Sequence, residues 1–296
     1  MPHWWDAVHH LPWPVKRAVL QISHPAHRIE ILRRDHYARR GFYHYPHRIL
    51  FVAGIPKSGT TLVENFLFQI PGYCPRELSG DTGVLNAKNL PSNAFEHVPP
   101  DRYSFFKTHV NPTDRNIEVM RRAGIRRVVV MFRDPRDIAI SRYFHYAQGG
   151  YAWPPDELPP SGHLTEEEGI SGCIEVVLKE FLPWMSAWRA RAQADPENHL
   201  VLSYEHLVSS TTDTLQEVLL FYSIDVDAAA MTRMVSRARA IGGGHMRAGL
   251  PGMRSTFRKG AIGDWKRSFT AAQKARFKQV GAQWLIDWGY EQDDTW

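Results

Sequence analysis

Gly54-Ile-Pro-Lys57-Ser58-Gly59-Thr60-Thr61 gathers one lysine, three hydroxyls and two glycines between an apolar run and a helical pattern. A glycine-containing turn that enters a helix presents unpaired backbone N–H groups and the positive end of the helix dipole, which suits phosphate. Lys57 adds a full positive charge, and Ser58, Thr60 and Thr61 add donors. The nucleotide-triphosphatase loop runs G-x-x-x-x-G-K-[ST], with lysine after the last glycine. Here Lys57 precedes Gly59, so that order is not met. The segment reads as a site for phosphate or a phosphate-like anion, against the plainer alternative of an ordinary strand–helix turn.

Three further segments carry similar chemistry. Phe106-Lys107-Thr108-His109 ends a second apolar run, where open α/β sheets bind ligands. His109 there is a candidate general base, an imidazole near neutral pKa being able to take a proton from a hydroxyl. A third run ends in Arg133-Asp134-Pro135-Arg136-Asp137, with Ser141 two helical turns beyond Arg133. A guanidinium grips phosphate bidentately, while Asp134 and Pro135 read equally as a helix cap and first turn. Last, Phe257-Arg258-Lys259-Gly260-Ala261-Ile262-Gly263-Asp264-Trp265-Lys266 sets two cations in a glycine-rich loop, either a phosphate clamp or a solvated surface. Four anion sites on one chain favour a ligand with more than one phosphate-like group.

The elements that must position them follow from the patterning. Arg48–Gly54, Tyr103–Lys107, Arg127–Phe132 and Leu200–Tyr204 are short apolar runs of the kind found in buried parallel strands. Helical patterns fall at Thr60–Ile70, Pro112–Ala123, Pro135–Gln148, Glu166–Ala194, Thr211–Phe221 and Thr270–Trp288. Strands alternating with helices predict a single α/β domain, a central parallel sheet flanked by helices, with a P-loop-like anion-binding loop after its first strand. We take residues 48–296 as that domain and residues 1–47 as a basic, His- and aromatic-rich leader, with a helix over about Pro14–Arg40.

The chain has 296 residues and 43% apolar side chains, enough for a sizeable core. The first 50 residues hold eight Lys/Arg against three acids, and so the whole formal net charge of +5. Basic charge at one end suggests weak contact with an anionic membrane surface, although a solvated helix, or packing on the domain, explains it as well. Neither a secretory pattern nor an apolar stretch near the ~20 residues of a membrane span is present. Cys74 and Cys173 cannot build a disulfide framework, and the expected setting is reducing and cytoplasmic. Nothing points to nucleic acid.

Taken together, the residues resemble the cytosolic sulfotransferase family, whose motifs are met in order from about residue 48 to 290. Pro56-Lys57-Ser58-Gly59-Thr60-Thr61 is similar to its 5′-phosphosulfate loop, and Lys107-Thr108-His109 to the segment with its catalytic histidine. Arg133 to Tyr143 resembles its 3′-phosphate-binding strand and helix, Tyr204-Glu205-His206-Leu207 its Tyr-Glu-Asp-Leu segment, and Arg258 to Lys266 its Arg-Lys-Gly-x-x-Gly-Asp-Trp-Lys loop. The resemblance implies transfer of a sulfuryl group from 3′-phosphoadenosine 5′-phosphosulfate (PAPS) to a hydroxyl or amine of a small apolar or aromatic acceptor. It implies that the amides of Ser58, Gly59, Thr60 and Thr61 hold the 5′-phosphate, that Lys57, at the same phosphate, acts catalytically near the bridging oxygen as charge develops on the leaving group, and that Arg133, Ser141, Arg258, Lys259 and Gly260 hold the 3′-phosphate. Tyr204 joins the donor site, Lys107 neutralises the transferring group, and His109 is the base. No metal is required, lysines and amides supplying the charge that magnesium brings to phosphoryl transfer. Leu62 and the aromatic-free stretch Arg237–Gly244 depart from the family at its adenine contacts, and Ala275 departs from its dimer motif, leaving the oligomeric state open. The alternatives are a P-loop-type small-molecule kinase and a non-catalytic nucleotide- or polyanion-binding protein.

Overall fold

The central sheet of the computed structural model, which describes residues 25–76, 78, 88–147, 164–243, 246–247, 250–251 and 261–296, is formed by β1 (Ile49–Gly54), β2 (Tyr73–Pro75), β3 (Tyr103–Thr108), β4 (Val128–Phe132) and β5 (His199–Ser203). All four pairings within this sheet are parallel, in the spatial order β2-β3-β1-β4-β5, and a separate two-residue pair, Met246–Arg247 with Leu250–Pro251, is antiparallel. Every strand of the central sheet therefore ends at the same edge. The chain leaves β1 towards β2 and β3, then returns past it to β4 and β5, so the sheet changes direction beside β1, where open α/β sheets form their ligand crevice.

β3 and β4 are buried along their whole length because both faces are covered. Alternate residues feed two separate cores. Leu50, Val52, Phe105, Val129 and Met131 face a cluster closed by α2 (Thr60–Leu67), α8 (Thr211–Phe221) and α9 (Ala228–Gly243). Phe51, Ala53, Phe106, Val130 and Phe132 face the other, closed by α3 (Asp114–Arg122), α4 (Pro135–Ala147), α5 (Glu166–Val176), α6 (Leu182–Ala194) and α11 (Ala271–Asp287). The first helix, α1 (Pro25–Arg39), is fixed by Arg34, which donates to the carbonyls of Phe68, Ile70 and Tyr73, and by Asp35, which pairs with Arg76 and Arg102. Two short helices, α7 (Tyr204–Ser209) and α10 (Trp265–Ser268), complete the set that positions the site.

Three details differ from the sequence reading. The helix expected over Glu166–Ala194 contains a π-helical turn at Val177–Phe181, immediately before Pro183, which has no N–H to continue the i→i−4 ladder. α9 and the three-residue strand β2 were not expected. Only the Pro25–Arg39 part of the leader helix falls among the described residues. Cys74 and Cys173 are both buried and are not joined to each other. Among the described residues no helix is long and apolar enough to cross a membrane.

The ladder between β1 and β4 starts at Val52, which leaves the backbone of Phe51 to be satisfied by a side chain. Tyr222, fully buried, supplies it: its hydroxyl donates to the Phe51 carbonyl at 2.7 Å and accepts from the Phe51 N–H at 3.1 Å. Tyr222→Phe strands two buried backbone groups and should cost about 1–3 kcal/mol of stability, read as a lower urea midpoint with an unchanged m-value.

Candidate functional site

The site begins where β1 stops. A Cβ on Gly54 would lie 2.3 Å from Thr60 Cγ2 and 2.9 Å from Met131 Cβ, so only glycine lets the following turn fold back on the strand end. Within that turn Ser58 is buried, and both its N–H and its hydroxyl donate to the Ile55 carbonyl, at 3.1 and 2.7 Å. Lys57 has φ of 76° and Gly59 φ of 89°, both left-handed. For lysine that conformation costs on the order of 1–3 kcal/mol, and such strain clusters at ligand sites. Gly59 caps α2, and Thr60 (buried) and Thr61 (half-buried) form its first turn, so the helix presents its N-terminal amides here.

The other strand ends bring their side chains to the same place. Arg133, after β4, is buried; its guanidinium donates to the Lys57 carbonyl at 3.1 Å and to the Ala261 carbonyl at 3.0 Å, and stacks on Tyr204 at 4.2 Å. Its Nε is buried without a hydrogen-bond partner among the described residues. Tyr204, after β5, packs against Gly59, where a Cβ would meet its ring at 2.7 Å. Lys107, at the end of β3, is buried and donates to Glu64 of α2 at 2.6 Å. His109 follows it, half-buried, with Nδ1 hydrogen-bonded to the Gly54 carbonyl. A carbonyl only accepts, so Nδ1 carries the proton and the ring's lone pair lies on Nε2.

The electrostatics follow from this crowding. Burial, with Arg133 adding repulsion, pushes the Lys57 ammonium down to about 7. Glu64 sets a negative charge beside Lys107, so the cluster balances its own cations in part. An arriving phosphate or sulfate would meet backbone amides, Lys57 and Arg133 already assembled. A hydroxyl at His109 Nε2 would find a base.

A second set of carboxylates holds the arginine end together. Glu205 accepts from the Asp134 N–H at 2.9 Å, and Asp134 caps α4 by accepting from the Arg136 N–H at 2.9 Å. Asp137 accepts from the amides of Gly263 at 2.7 Å and Trp265 at 3.1 Å, so the segment from Ala261 onward lies against Arg133. Burial raises the Asp137 carboxyl, opposed by Arg133 and these amides. Ser141 is half-buried on α4, two turns from its start. Arg258, Lys259 and Gly260 lie outside the described residues. Of the residues expected from sequence, Lys57, Ser58, Gly59, Thr60, Lys107, His109, Arg133 and Tyr204 are brought together at one sheet edge. Glu64, Asp137 and Glu205 were not singled out: their importance comes from partners 43, 126 and 71 residues away, which no local spacing reveals.

The model of the family described as Sulfotransferase domain matches residues 47–289. Sulfotransferase 2A6 of Rattus norvegicus is 26% identical over 170 residues, 52% of this chain and 55% of that one, so the match spans about half of that relative's length. Mouse sulfotransferase SULT7A1 complexed with PAP has a similar structure, with a TM-score of 0.62 at 20% identity over 86% of this chain and 89% of that one. Retinol dehydratase in complex with androsterone and the inactive cofactor PAP gives 0.58 at 18% identity over 87% and 86%. These identities establish a shared fold.

Because Arg133 contributes to the depression of Lys57, Arg133→Leu should raise the Lys57 titration above its value of about 7. It should not restore an ordinary lysine, since burial is the larger cause. Titrating the lysine side-chain carbons by NMR in both proteins reads the change directly.

Proposed function

Because the chain belongs to the sulfotransferase domain family, we propose that it transfers the sulfuryl group of PAPS to a hydroxyl or amine of a small, apolar or aromatic acceptor. The observation that carries this reading is the convergence of Lys57, Lys107, His109 and Arg133 from three parallel strand ends, with the histidine tautomer fixed by Gly54. The similar structures complexed with PAP, adenosine 3′,5′-bisphosphate, support PAPS as co-substrate.

In the proposed reaction the amides of Ser58 to Thr61 hold the 5′-phosphate. His109 Nε2 takes the acceptor's proton as the acceptor oxygen or nitrogen forms its bond to sulfur. The bond from sulfur to the bridging oxygen breaks, and its electron pair stays on the departing phosphate, where Lys57 meets the growing charge. Lys107, steadied by Glu64, faces the sulfuryl oxygens. Arg133, Ser141, Arg258, Lys259 and Gly260 take the 3′-phosphate, with Tyr204 backing Arg133. Their charges and amides do the work that magnesium does in phosphoryl transfer, which makes a metal unnecessary in this scheme. A kinase reading has less support, since Lys57 precedes Gly59 where the nucleotide-triphosphatase loop has lysine after glycine. Retinol dehydratase, similar in structure, is complexed with the steroid alcohol androsterone, which makes hydroxysteroids, with simple phenols, the first acceptors to screen.

The test begins with thermal stability in adenosine 3′,5′-bisphosphate, AMP and ATP–magnesium in parallel. Selective stabilisation by the first supports the donor assignment, and stabilisation by ATP–magnesium alone would favour a kinase. Transfer of label from [35S]PAPS to the acceptor panel then measures activity. His109→Ala should lose about 100-fold or more in turnover while keeping bisphosphate affinity, and unchanged turnover would remove His109 as the base.

A pH dependence follows from Lys57. The free protein holds this lysine half-charged near pH 7, and a bound phosphate favours the charged form, so binding takes up a proton above that pH. Affinity for adenosine 3′,5′-bisphosphate should be greatest below pH 7 and fall above it by up to about tenfold per pH unit, until the pKa of the bound state is passed. Calorimetry in buffers of different ionisation enthalpy counts the proton, and a pH-independent affinity between 7 and 9 would contradict the assignment.

A further inference from the structure

Beyond the strand ends, the most ordered polar arrangement of the molecule lies behind the arginine end of the site, on the segment that follows α11. Arg136 is buried to 1% exposure, and among the described residues its hydrogen bonds and ion pairs go to Asp134 and Glu291 rather than to the phosphate-binding candidates. Its guanidinium donates twice to Asp134, at 3.0 and 2.7 Å, and once to Glu291. Two aromatic rings pack against it, Trp265 at 3.8 Å and Trp296 at 4.5 Å, and those rings meet edge to face at 5.1 Å. The hydroxyl of Tyr290 stands 3.5 Å from Glu205, whose other oxygen holds the Asp134 amide.

Each of these contacts ends one step from Arg133. Asp134, clamped by Arg136, is its sequence neighbour. Trp265, stacked on Arg136, is the residue whose amide, with that of Gly263, rests on Asp137. That anchorage presents the Ala261 carbonyl to the Arg133 guanidinium. An arginine meant to meet a phosphate needs a fixed plane, because bidentate binding depends on orientation as well as charge. Buried ion pairs contribute little net stability against their desolvation cost, so a buried arginine packed against two tryptophans calls for another role.

The geometry points to Arg136, Glu291 and Trp296 as positioning residues that set the Arg133 guanidinium for the 3′-phosphate of the donor. The role rests on the donor assignment proposed above. It gives the segment Tyr290–Trp296 a task in donor recognition although it lies behind the site rather than in it. In the binding step nothing is made or broken. The segment fixes Trp265 and Asp134, and these fix the Ala261 carbonyl and the backbone that carry Arg133.

Removing Arg136 would strand Asp134 and Glu291 and risks unfolding, so the test uses the outer partners, Glu291→Gln and Trp296→Ala, with Trp296→Phe as the conservative control. Calorimetric binding of adenosine 3′,5′-bisphosphate should weaken by about tenfold in Trp296→Ala, while AMP, which lacks the 3′-phosphate, changes by less than about twofold. Trp296→Phe should recover most of the loss. Amide hydrogen exchange at Gly263 and Trp265 should quicken in the same variants without ligand, a readout independent of the donor assignment. Equal weakening of both nucleotides would mark general destabilisation and overturn the proposal, as would unchanged exchange with unchanged bisphosphate affinity. A wild-type protein that binds AMP and gains nothing from the 3′-phosphate would instead overturn the donor assignment, and the 3′-phosphate role with it.

Discussion

A side chain at Gly54 would overlap Thr60 and Met131, and its absence is what allows the turn after β1 to fold back onto the strand end. The same residue's carbonyl binds His109 Nδ1. One backbone position therefore sets both the start of α2, with its row of amides, and the tautomer of the histidine that follows β3. Lys57 is forced into a left-handed conformation three residues later, and Arg133 reaches back to its carbonyl. The remaining contacts at this edge are arranged around that tight junction of β1, β3 and β4.

The charges there play different parts. Lys57 is taken out of water next to Arg133 and gives up charge readily. Lys107 is buried and pairs with Glu64. Arg133 lies flat on Tyr204, is held at its edges by the carbonyls of Lys57 and Ala261, which fix its plane, and has the Asp137 carboxylate 3.8 Å away as counter-ion. Lys57 and Arg133, crowded together at this edge, repel one another, and a multiply charged anion relieves that repulsion on arrival. In the proposed reaction that relief is placed where the leaving phosphate develops charge.

Much of this was legible in the sequence because it is local. The apolar runs ending in Gly54, Lys107 and Phe132 located the strands, and parallel pairing then required that Lys57, His109 and Arg133 share an edge. The Ser58-Gly59-Thr60-Thr61 turn declared a helix start by its composition. The counter-charges were not legible. Glu64, Asp137 and Glu205 look like ordinary polar positions on helices until the sheet brings Lys107, Gly263 and Asp134 to them. α9 has a local signal as well, since Met231, Met234, Val235 and Ala238 have helical spacing and all enter the core. β2 carried none: three residues ending in Pro75 have no period, and their register is imposed by β3. The π-turn needed the packing of α5 and α6 to appear, although Pro183 marks its cause.

The hydroxyl of Tyr222 that closes the backbone of Phe51 is 171 residues away along the chain. At ribosomal rates of ~5–20 residues per second, roughly ten to thirty seconds of synthesis separate the two residues. During that interval the central strand of the sheet has emerged, apolar on both faces, while the residue that finishes its edge does not yet exist. The order of the chain thus exposes an apolar central strand early and completes its hydrogen bonding late.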